Sequence, residues 1–457
     1  MLYELLKPVA GIALRWYYRS VSVAGRQRIP ESGPVFLAVN HPNAMVDALV
    51  VAWTTRRRVG FTAKSTIFAN PLLSAFLRSV GAIPLKRVSD MAKASDAITP
   101  VLDPSRNADS FRAVSLALAA GRAIVVFPEG KSHSEPQLAP LRTGLARMAL
   151  QARDTMGVRG IQIVPIGLLF EMKEQPRSEV LVQVGAPILV DSIESNEHAV
   201  ESLTALVAER LEAVTLNFES AEDAARIAAV GDTLAALLEP VSSLGEGGPS
   251  LSSRLAMTRR AERVRKALEH VPSVELTEVV AEFERRLELF RTRLAAERIA
   301  ASDLFIDVSA TPGARFAIRE ALLAAVLIPV SWWGRLTHWL PIRITRWLAL
   351  RSARNRDDPA MYTIVIGLVL VVAAYAVQTV IVGVLFGFWW SMPFLLSLVP
   401  SASSEMRYGD RARRRTERMR AYLRFRQEPQ LRAELLAEAD WLRKEAGVIE
   451  QRLSFVA

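Results

Sequence analysis

The sequence is organised around the stretch Pro34-Val-Phe-Leu-Ala-Val-Asn-His-Pro-Asn-Ala-Met-Val-Asp47. Its apolar run, residues 34–39, is typical of a buried strand and ends directly before Asn40 and His41. Pro42 suits the first turn of a following helix, where a missing backbone N–H loses no hydrogen bond. The stretch therefore predicts a strand, a loop that carries a histidine, and a helix.

His41 and Asp47 are too far apart in sequence to share one face of a helix, because six residues make about one and two-thirds turns. They can meet only if His41 lies in the loop and Asp47 reaches back from the second helical turn. Asp47 could then bind one ring nitrogen and leave the other free to accept a proton. The alternative is a surface histidine beside an aspartate that caps the helix, and the pair alone does not distinguish the two.

Apolar runs and helical patterns alternate from about residue 21 to residue 190. The runs that predict strands are 34–39, 58–63, 122–127, 161–170 and 179–186, and helices are predicted at 43–54, 69–80, 107–120 and 142–154. Continuous apolar strands alternating with helices indicate an α/β sheet covered on both faces. Ligands of such sheets bind at the carboxyl ends of the strands, where the polar clusters fall.

Two further polar clusters follow predicted strands. The segment Gly81-Ala-Ile-Pro-Leu-Lys-Arg87 ends in two cations, of which Arg87 could bind a phosphate through two hydrogen bonds. The segment Phe127-Pro-Glu-Gly-Lys-Ser-His133 places Gly130 where a tight turn can expose backbone N–H groups to an anion. Both clusters predict contacts with an anionic ligand.

The composition limits the classes of function. The net charge is +10, so an anionic partner is expected, and the absence of cysteine excludes disulfides, thiolate metal sites and a cysteine nucleophile. The five histidines are too scattered to suggest a metal site, and we expect no metal or cofactor. Basic residues are concentrated on both sides of the apolar run 361–400, which favours lipid headgroups over nucleic acid as the partner.

The four motifs together resemble the glycerolipid acyltransferases that act on glycerol-phosphate acceptors. In order they are His41 with Asp47, the Gly81–Arg87 segment, Phe127-Pro-Glu-Gly130, and the apolar strand with Val164-Pro165. Two features depart from the common family pattern. Five residues rather than four separate the histidine and the aspartate, and Lys131-Ser132-His133 replaces Thr-Arg-Ser. Both departures resemble the fungal-type acyltransferases for glycerol 3-phosphate or dihydroxyacetone phosphate.

The resemblance implies a reaction and a set of site residues. An acyl thioester, either acyl-CoA or acyl carrier protein, would donate its acyl group directly to a hydroxyl of glycerol 3-phosphate or 1-acylglycerol 3-phosphate. His41 would be the general base, and Asp47 would stabilise the imidazolium. Arg87 and Lys131 would bind the acceptor phosphate, while Glu129 and Gly130 would shape the acceptor pocket. The alternatives are a structural salt bridge from Glu129 to Arg87 or Lys131, and an inactive scaffold that kept the shell of the domain.

The predicted fold class is an α/β acyltransferase-type sheet flanked by helices, followed by a helical region and a C-terminal membrane hairpin. The chain is expected to begin with an amphipathic helix at 1–20, which could lie in a membrane interface or pack on the domain, followed by the catalytic domain at 21–190. A helical region at 191–320, with a linker near 239–253, comes next. The remaining divisions are a membrane-associated segment at 321–400 and a basic helical tail at 401–457.

The membrane hairpin is predicted at 361–400, where no charged residue occurs over forty positions, enough for two spans. The shorter apolar stretch 321–334 is predicted to be interfacial, because Arg335 interrupts it. Arginines flank the hairpin on both sides, which favours both flanks, and the catalytic domain, in the cytoplasm, with an even number of crossings or a re-entrant hairpin; a single long tilted span is the alternative. A heptad stripe within 276–294 predicts a helical bundle, with its arginines on a solvated outer face.

Overall fold

The computed structural model describes residues 2–85, 108–240, 248–270, 274–352 and 359–456. The chain divides into two compact units. The first comprises residues 1–219 and 345–369, and the second comprises residues 220–344 and 370–457. The helices 199–212 and 221–238 therefore belong to different units, so the first unit extends beyond residue 190, where we predicted the α/β domain to end.

The described part of the first unit is built on an eight-stranded sheet. Its strands are β1 (Ser20–Ala24), β2 (Val35–Val39), β3 (Val59–Lys64), β4 (Ala82–Leu85), β5 (Ala123–Val126), β6 (Gln162–Phe170), β7 (Glu179–Val184) and β8 (Ile188–Leu189). The order is β1-β7-β6-β2-β5-β3-β4, with β8 also paired to β6. All pairs are parallel except those of β6 with β7 and with β8. Parallel β2 and β5 thus end side by side, which brings His41 near the segment after β5.

The predicted strands are confirmed, but β1 and the two-residue β8 were missed. Two of the five residues of β1, Ser-Val-Ser-Val-Ala, are polar and the strand is only partly buried, so no continuous apolar run marks it. Strand β2 shows the opposite pattern, since all five of its residues are buried. Leu37 packs into the core on one face of the sheet, whereas Phe36 and Ala38 pack into the core on the other. This two-sided burial is the cause of the continuous apolar run in the sequence.

Helices cover both faces of the sheet. They are α1 (Leu2–Tyr17), α2 (Ala44–Thr54), α3 (Pro71–Ser79), α4 (Ala108–Ala119), α5 (Gly144–Asp154) and α6 (Ala199–Glu212). Residues of α1 and α2 pack into one core, and residues of α4, α5 and α6 pack into the other. The sheet is therefore sandwiched between two helical layers, as the alternating pattern predicts.

Helix α1 packs on the domain through one face. Tyr3, Leu14 and Tyr17 are buried there, and Gly11 lies so close to Trp53 that an added Cβ would come within 2.2 Å of its ring. On the opposite side of the helix, apolar side chains such as Leu5 and Ile12 remain exposed. The packing alternative is confirmed for the inner face, and the outer face keeps the amphipathic character that the sequence indicates.

The described part of the second unit is helical. Its helices are α7 (Ala221–Leu238), α8 (Leu251–His270), α9 (Val274–Glu297), α10 (Ala310–Ser352), α11 (Pro359–Phe386), α12 (Phe388–Gln427) and α13 (Pro429–Val456), of which α10 and α11 are shared with the first unit. The predicted heptad residues of α9 are buried against apolar residues of α13, such as Leu435 and Leu442. The helical region and the basic tail therefore form one core.

The arginines of α9 are not simply a solvated face. The Arg286 Nε donates to Glu438 Oε1 of α13 at 2.7 Å, and its guanidinium lies 3.7 Å from the centroid of the Trp441 ring. Arg293 also pairs with a carboxylate of α13, that of Glu434. These interactions add polar contacts at the border of the apolar seam between the two helices.

The apolar helices differ from the predicted hairpin. The run 361–400 is divided at Gly387, whose φ of 94° ends α11 and starts α12. Among the described residues, two helices are long and apolar enough to cross a membrane, and these are Gly313–Ser352 within α10 and the whole of α11. Helix α10 contains the stretch 321–334, which we predicted to be interfacial because Arg335 interrupts it. The helix instead continues beyond Arg335 without a break, so the helical segment is longer than this stretch.

Candidate active site

His41 lies in the bend between β2 and α2, and Asp47 lies in the first turn of α2. The two side chains meet: Nδ1 of His41 is 2.9 Å from Oδ2 of Asp47. An ionised carboxylate can only accept hydrogen bonds, so His41 carries its hydrogen on Nδ1 and leaves a lone pair on Nε2. Nε2 makes no hydrogen bond within the described part of the chain, and the side chain remains 13% exposed. His41 is therefore arranged as a proton acceptor.

The predicted geometry needs one correction. Pro42 precedes the helix instead of starting it, and Asp47 reaches His41 from the first turn, not the second. The cause is Ala44, whose φ of 46° lies in the left-handed region and delays the start of the helix. Asn43 donates its backbone N–H to Oδ2 of Asp47 at 2.8 Å, so this carboxylate also holds the loop that carries the histidine.

Asp47 is completely buried, and only one of its two oxygens has a hydrogen-bond partner in the described structure. Burial raises the pKa of the Asp47 carboxyl above its ordinary value of 3.8, while the hydrogen bond with His41 lowers it. Burial therefore disfavours the ionised form of Asp47, and the strongest interaction that stabilises this form is the hydrogen bond with the His41 imidazole. A carboxylate in this setting favours the imidazolium that forms when His41 accepts a proton.

Phe127 fixes the plane of the imidazole. The rings of His41 and Phe127 are stacked, with centroids 4.0 Å apart and planes inclined by 17°. The parallel pairing of β2 and β5 brings these residues together, since Phe127 directly follows β5 and His41 lies two residues after the end of β2. Sequence reasoning gave Phe127 no role, because its position beside a histidine depends on the order of the strands.

Glu129 serves the histidine loop. It is 2% exposed, and its Oε1 accepts the backbone N–H of His41 at 2.7 Å. Its Oε2 accepts the backbone N–H of Ala139 at 3.0 Å and also bonds Nε2 of His133. Among the described residues, Glu129 pairs with His133 and not with Lys131, whereas the alternative of a salt bridge to Arg87 falls on a residue outside the described structure. The predicted role of Glu129 in shaping the acceptor pocket can therefore operate through the loops that it holds.

Gly130 and Lys131 follow at the turn. Gly130 has a φ of 76°, which favours glycine, and an added Cβ would lie 3.3 Å from Arg142 Cγ. The side chain of Lys131 is exposed, as a group that binds an anion from solution must be. Arg87, the other predicted phosphate ligand, lies outside the described residues together with Lys86.

Lys173, from the connection between β6 and β7, was not singled out from the sequence. Its Nζ donates to the carbonyl of Pro42 at 2.8 Å and to the hydroxyl of Ser134 at 2.6 Å. It thereby joins the histidine loop to the segment after β5. Within the described residues, no group of three or more acidic or histidine side chains could hold a metal ion.

A histidine bonded to a buried aspartate, at the carboxyl edge of a mainly parallel sheet, is an arrangement that is chemically able to deprotonate a hydroxyl. Residues 20–169 match the family model described as Acyltransferase, and this segment is a domain of that family. The family resemblance seen in the motifs is thus confirmed.

The chain is similar to several known proteins. It is 23% identical over 264 residues to an uncharacterized acyltransferase of Schizosaccharomyces pombe, covering 41% of this chain and 39% of that protein. It is 35% identical over 85 residues to glycerol-3-phosphate O-acyltransferase 2 of Saccharomyces cerevisiae, covering 19% of this chain and 11% of that protein. The crystal structure of the 1-acyl-sn-glycerophosphate acyltransferase PlsC from Thermotoga maritima aligns with a TM-score of 0.34 and 16% identity, covering 46% of this chain and 77% of that one.

Proposed function

We propose that this protein transfers a fatty acyl group from an acyl thioester to a hydroxyl of glycerol 3-phosphate or of 1-acylglycerol 3-phosphate, in glycerolipid synthesis. The observation that carries the proposal is the His41–Asp47 pair, with Nδ1 bound to the carboxylate and Nε2 available. A hydroxyl is a weak nucleophile at neutral pH, and a base at this position removes that limitation.

In the proposed reaction, Nε2 of His41 takes the hydroxyl proton while the acceptor oxygen attacks the thioester carbonyl. The new C–O bond forms, the C–S bond breaks, and the imidazolium returns its proton to the departing thiolate. Asp47 stabilises the imidazolium between these steps, and Phe127 keeps the ring in plane. The transfer is direct and uses no covalent enzyme intermediate.

The proposed acceptor carries a phosphate, for which Arg87, Lys131 and the turn at Gly130 are the proposed ligands. The exposed Lys131 ammonium and the glycine turn lie directly after Glu129, whose carboxylate contacts the main chain of His41. A phosphate bound at this turn would have its adjoining glycerol hydroxyls within range of the base. Dihydroxyacetone phosphate, which offers the same phosphate and one hydroxyl, is the alternative acceptor.

The first test offers the purified full-length protein each of the three acceptors with acyl-CoA and with acyl carrier protein. We expect turnover with a glycerol-phosphate acceptor and none with glycerol. An inactive scaffold, the rival interpretation, would give no ester product with any pair. Formation of product with glycerol at the same rate would contradict the proposed recognition of the acceptor phosphate.

Lys131→Ala should raise the KM for the acceptor about tenfold or more while changing the KM for the donor little, because a charged phosphate contact is worth on the order of 1.5–3 kcal/mol. The matched control is Arg122→Ala, which removes an exposed cation at the opposite end of β5. A rise in the donor KM instead would assign Lys131 to the thioester.

We also propose that the apolar helices hold the protein in a membrane, with the acyltransferase domain and both arginine-rich flanks in the cytoplasm. A 28-residue helix such as α11 is about 42 Å long, enough to cross the hydrocarbon core. With both flanks in the cytoplasm, the next apolar segment, 388–400, which is about 20 Å long, must return the chain to the cytoplasmic side, where the bilayer can thin locally around a short segment.

Single cysteines at Ser352 and Ser404 test this orientation. An impermeant thiol reagent added to intact cells should label neither position, and both should react after the membrane is opened. Labelling of Ser352→Cys alone from outside would mean that α10 and α11 both cross. Labelling of Ser404→Cys alone would mean that α11 is a single crossing.

A further inference from the structure

The segment after β5 holds the main chain of the loop that carries His41 at two residues, His41 and Ala44. The N–H of His41 donates to Glu129, and its carbonyl accepts the N–H of His133 at 3.2 Å. The N–H of Ala44 donates to the hydroxyl of Ser132 at 3.0 Å. With the contact of Lys173 to the Pro42 carbonyl, successive polar groups of the loop each have a partner on another segment.

These contacts hold a strained backbone. Ala44 has a φ of 46°, in the left-handed region that is unfavourable for a residue with a side chain. The Ser132 hydroxyl accepts the N–H of this same residue, so the bond opposes relaxation of the loop. The position of the His41 ring is therefore maintained by residues 129–133 as well as by Asp47.

His133 occupies the centre of this arrangement. Its Nε2 bonds Oε2 of Glu129, and because a carboxylate only accepts, Nε2 carries the hydrogen. Its Nδ1 is buried without a partner among the described residues, so neither ring nitrogen is open to a substrate hydroxyl. The His133 ring thus donates a hydrogen bond to the Glu129 carboxylate. Because this carboxylate is only 2% exposed, little water can reach it to replace the His133 donor.

We propose that His133 is a positioning residue for the acyl transfer: it fixes the Glu129 carboxylate, which in turn fixes the main chain of His41 and hence the location of the catalytic Nε2. The inference rests on the proposed function of His41. Its basis is the continuous set of contacts from the His133 ring through both oxygens of Glu129 to the His41 N–H, together with the direct bond between the main chains of residues 133 and 41.

The replacements His133→Gln and His133→Asn form a matched pair. The terminal amide nitrogen of glutamine can occupy the place of Nε2 and donate to Glu129, whereas that of asparagine corresponds to Nδ1 and falls short. We expect His133→Gln to keep kcat within about threefold of wild type. His133→Asn and His133→Ala should lower kcat about 100-fold with both KM values nearly unchanged, because a displacement of about 1 Å can cost that factor.

A second readout does not require activity. Amide hydrogen exchange of the full-length protein, followed by mass spectrometry on peptides covering residues 40–49, reports the protection of the His41 and Ala44 amides. Exchange there should accelerate in His133→Ala and His133→Asn but not in His133→Gln. If wild type forms no ester with any acceptor while this pattern holds, the proposed function fails and the positioning contact stands.

Three results would overturn the proposal. One is normal kcat in folded His133→Ala. Another is a glutamine variant as defective as the asparagine variant in both readouts, which would mean that donation from the Nε2 position is not what matters. The third is a raised acceptor KM with unchanged kcat, which would make His133 a substrate ligand.

Discussion

Replacing His41 with alanine is expected to lower kcat by about 100- to 10,000-fold, the range typical for removal of a general base. The loss should appear with every acceptor and donor, since the proton transfer is common to all of them. The KM values should change little, because Nε2 acts on the reacting hydroxyl and not on the phosphate or the acyl chain. The loss of kcat is measured from initial rates of the purified protein, and thermal unfolding confirms that the variant is folded.

His198 provides the control. It lies in the same unit with a side chain that is 75% exposed, and His198→Ala should leave the rate unchanged. The assignment of His41 as base would be contradicted by near-normal turnover in a folded His41→Ala protein. Equal losses in both variants would indicate damage to the unit rather than to the chemistry.

Asp47→Asn is expected to lower kcat by a smaller factor and by a different route. Oδ2 of Asp47 accepts both the Asn43 N–H and the His41 Nδ1–H, so an asparagine oxygen in its place can keep both hydrogen bonds. The ring then stays oriented with Nε2 as the acceptor, but the neutral amide stabilises the imidazolium less than a carboxylate does. Initial rates of the folded variant should therefore lie between those of wild type and of His41→Ala.

The same variant should not lose stability at neutral pH. Burial raises the pKa of the Asp47 carboxyl, so the folded state binds this proton more tightly than the unfolded state does. The resulting stability is present below the ordinary pKa of 3.8 and is lost as the pH rises through the folded value. An uncharged asparagine avoids that loss, so the melting temperature of the Asp47→Asn protein should equal or exceed that of wild type at pH 7. A large drop at pH 7 would mean that the ion pair stabilises the fold.

The local sequence determines much of this architecture. Strand β2 is recognisable because burial on both faces requires an apolar residue at every position. The heptad stripe of α9 is recognisable because the spacing of its apolar residues matches one helical face. His41 could be predicted to lie beside Asp47 because it follows a buried strand with a carboxylate close behind it, and the structure brings the two side chains together.

The roles of Glu129, Phe127, His133 and Lys173 required the tertiary structure. The contact of His41 with Glu129 joins residues 88 positions apart, and that of Lys173 with Pro42 joins residues 131 apart. No local sequence pattern indicates contacts between residues so far apart in the chain, because these contacts depend on which strands are neighbours in the sheet. The sequence therefore identified Glu129 as part of a polar cluster but not as the acceptor of the His41 amide.

The two departures from the family pattern show the same division. The extra residue between His41 and Asp47 and the Lys131-Ser132-His133 segment are both visible in the sequence, as separate facts. In the folded protein they touch, since Ser132 accepts the N–H of Ala44 and His133 donates its N–H to the carbonyl of His41. The sequence by itself determined the strand, the histidine and the carboxylate. The tertiary structure alone decided how the loop between them is held, because its hydrogen-bond partners come from another strand.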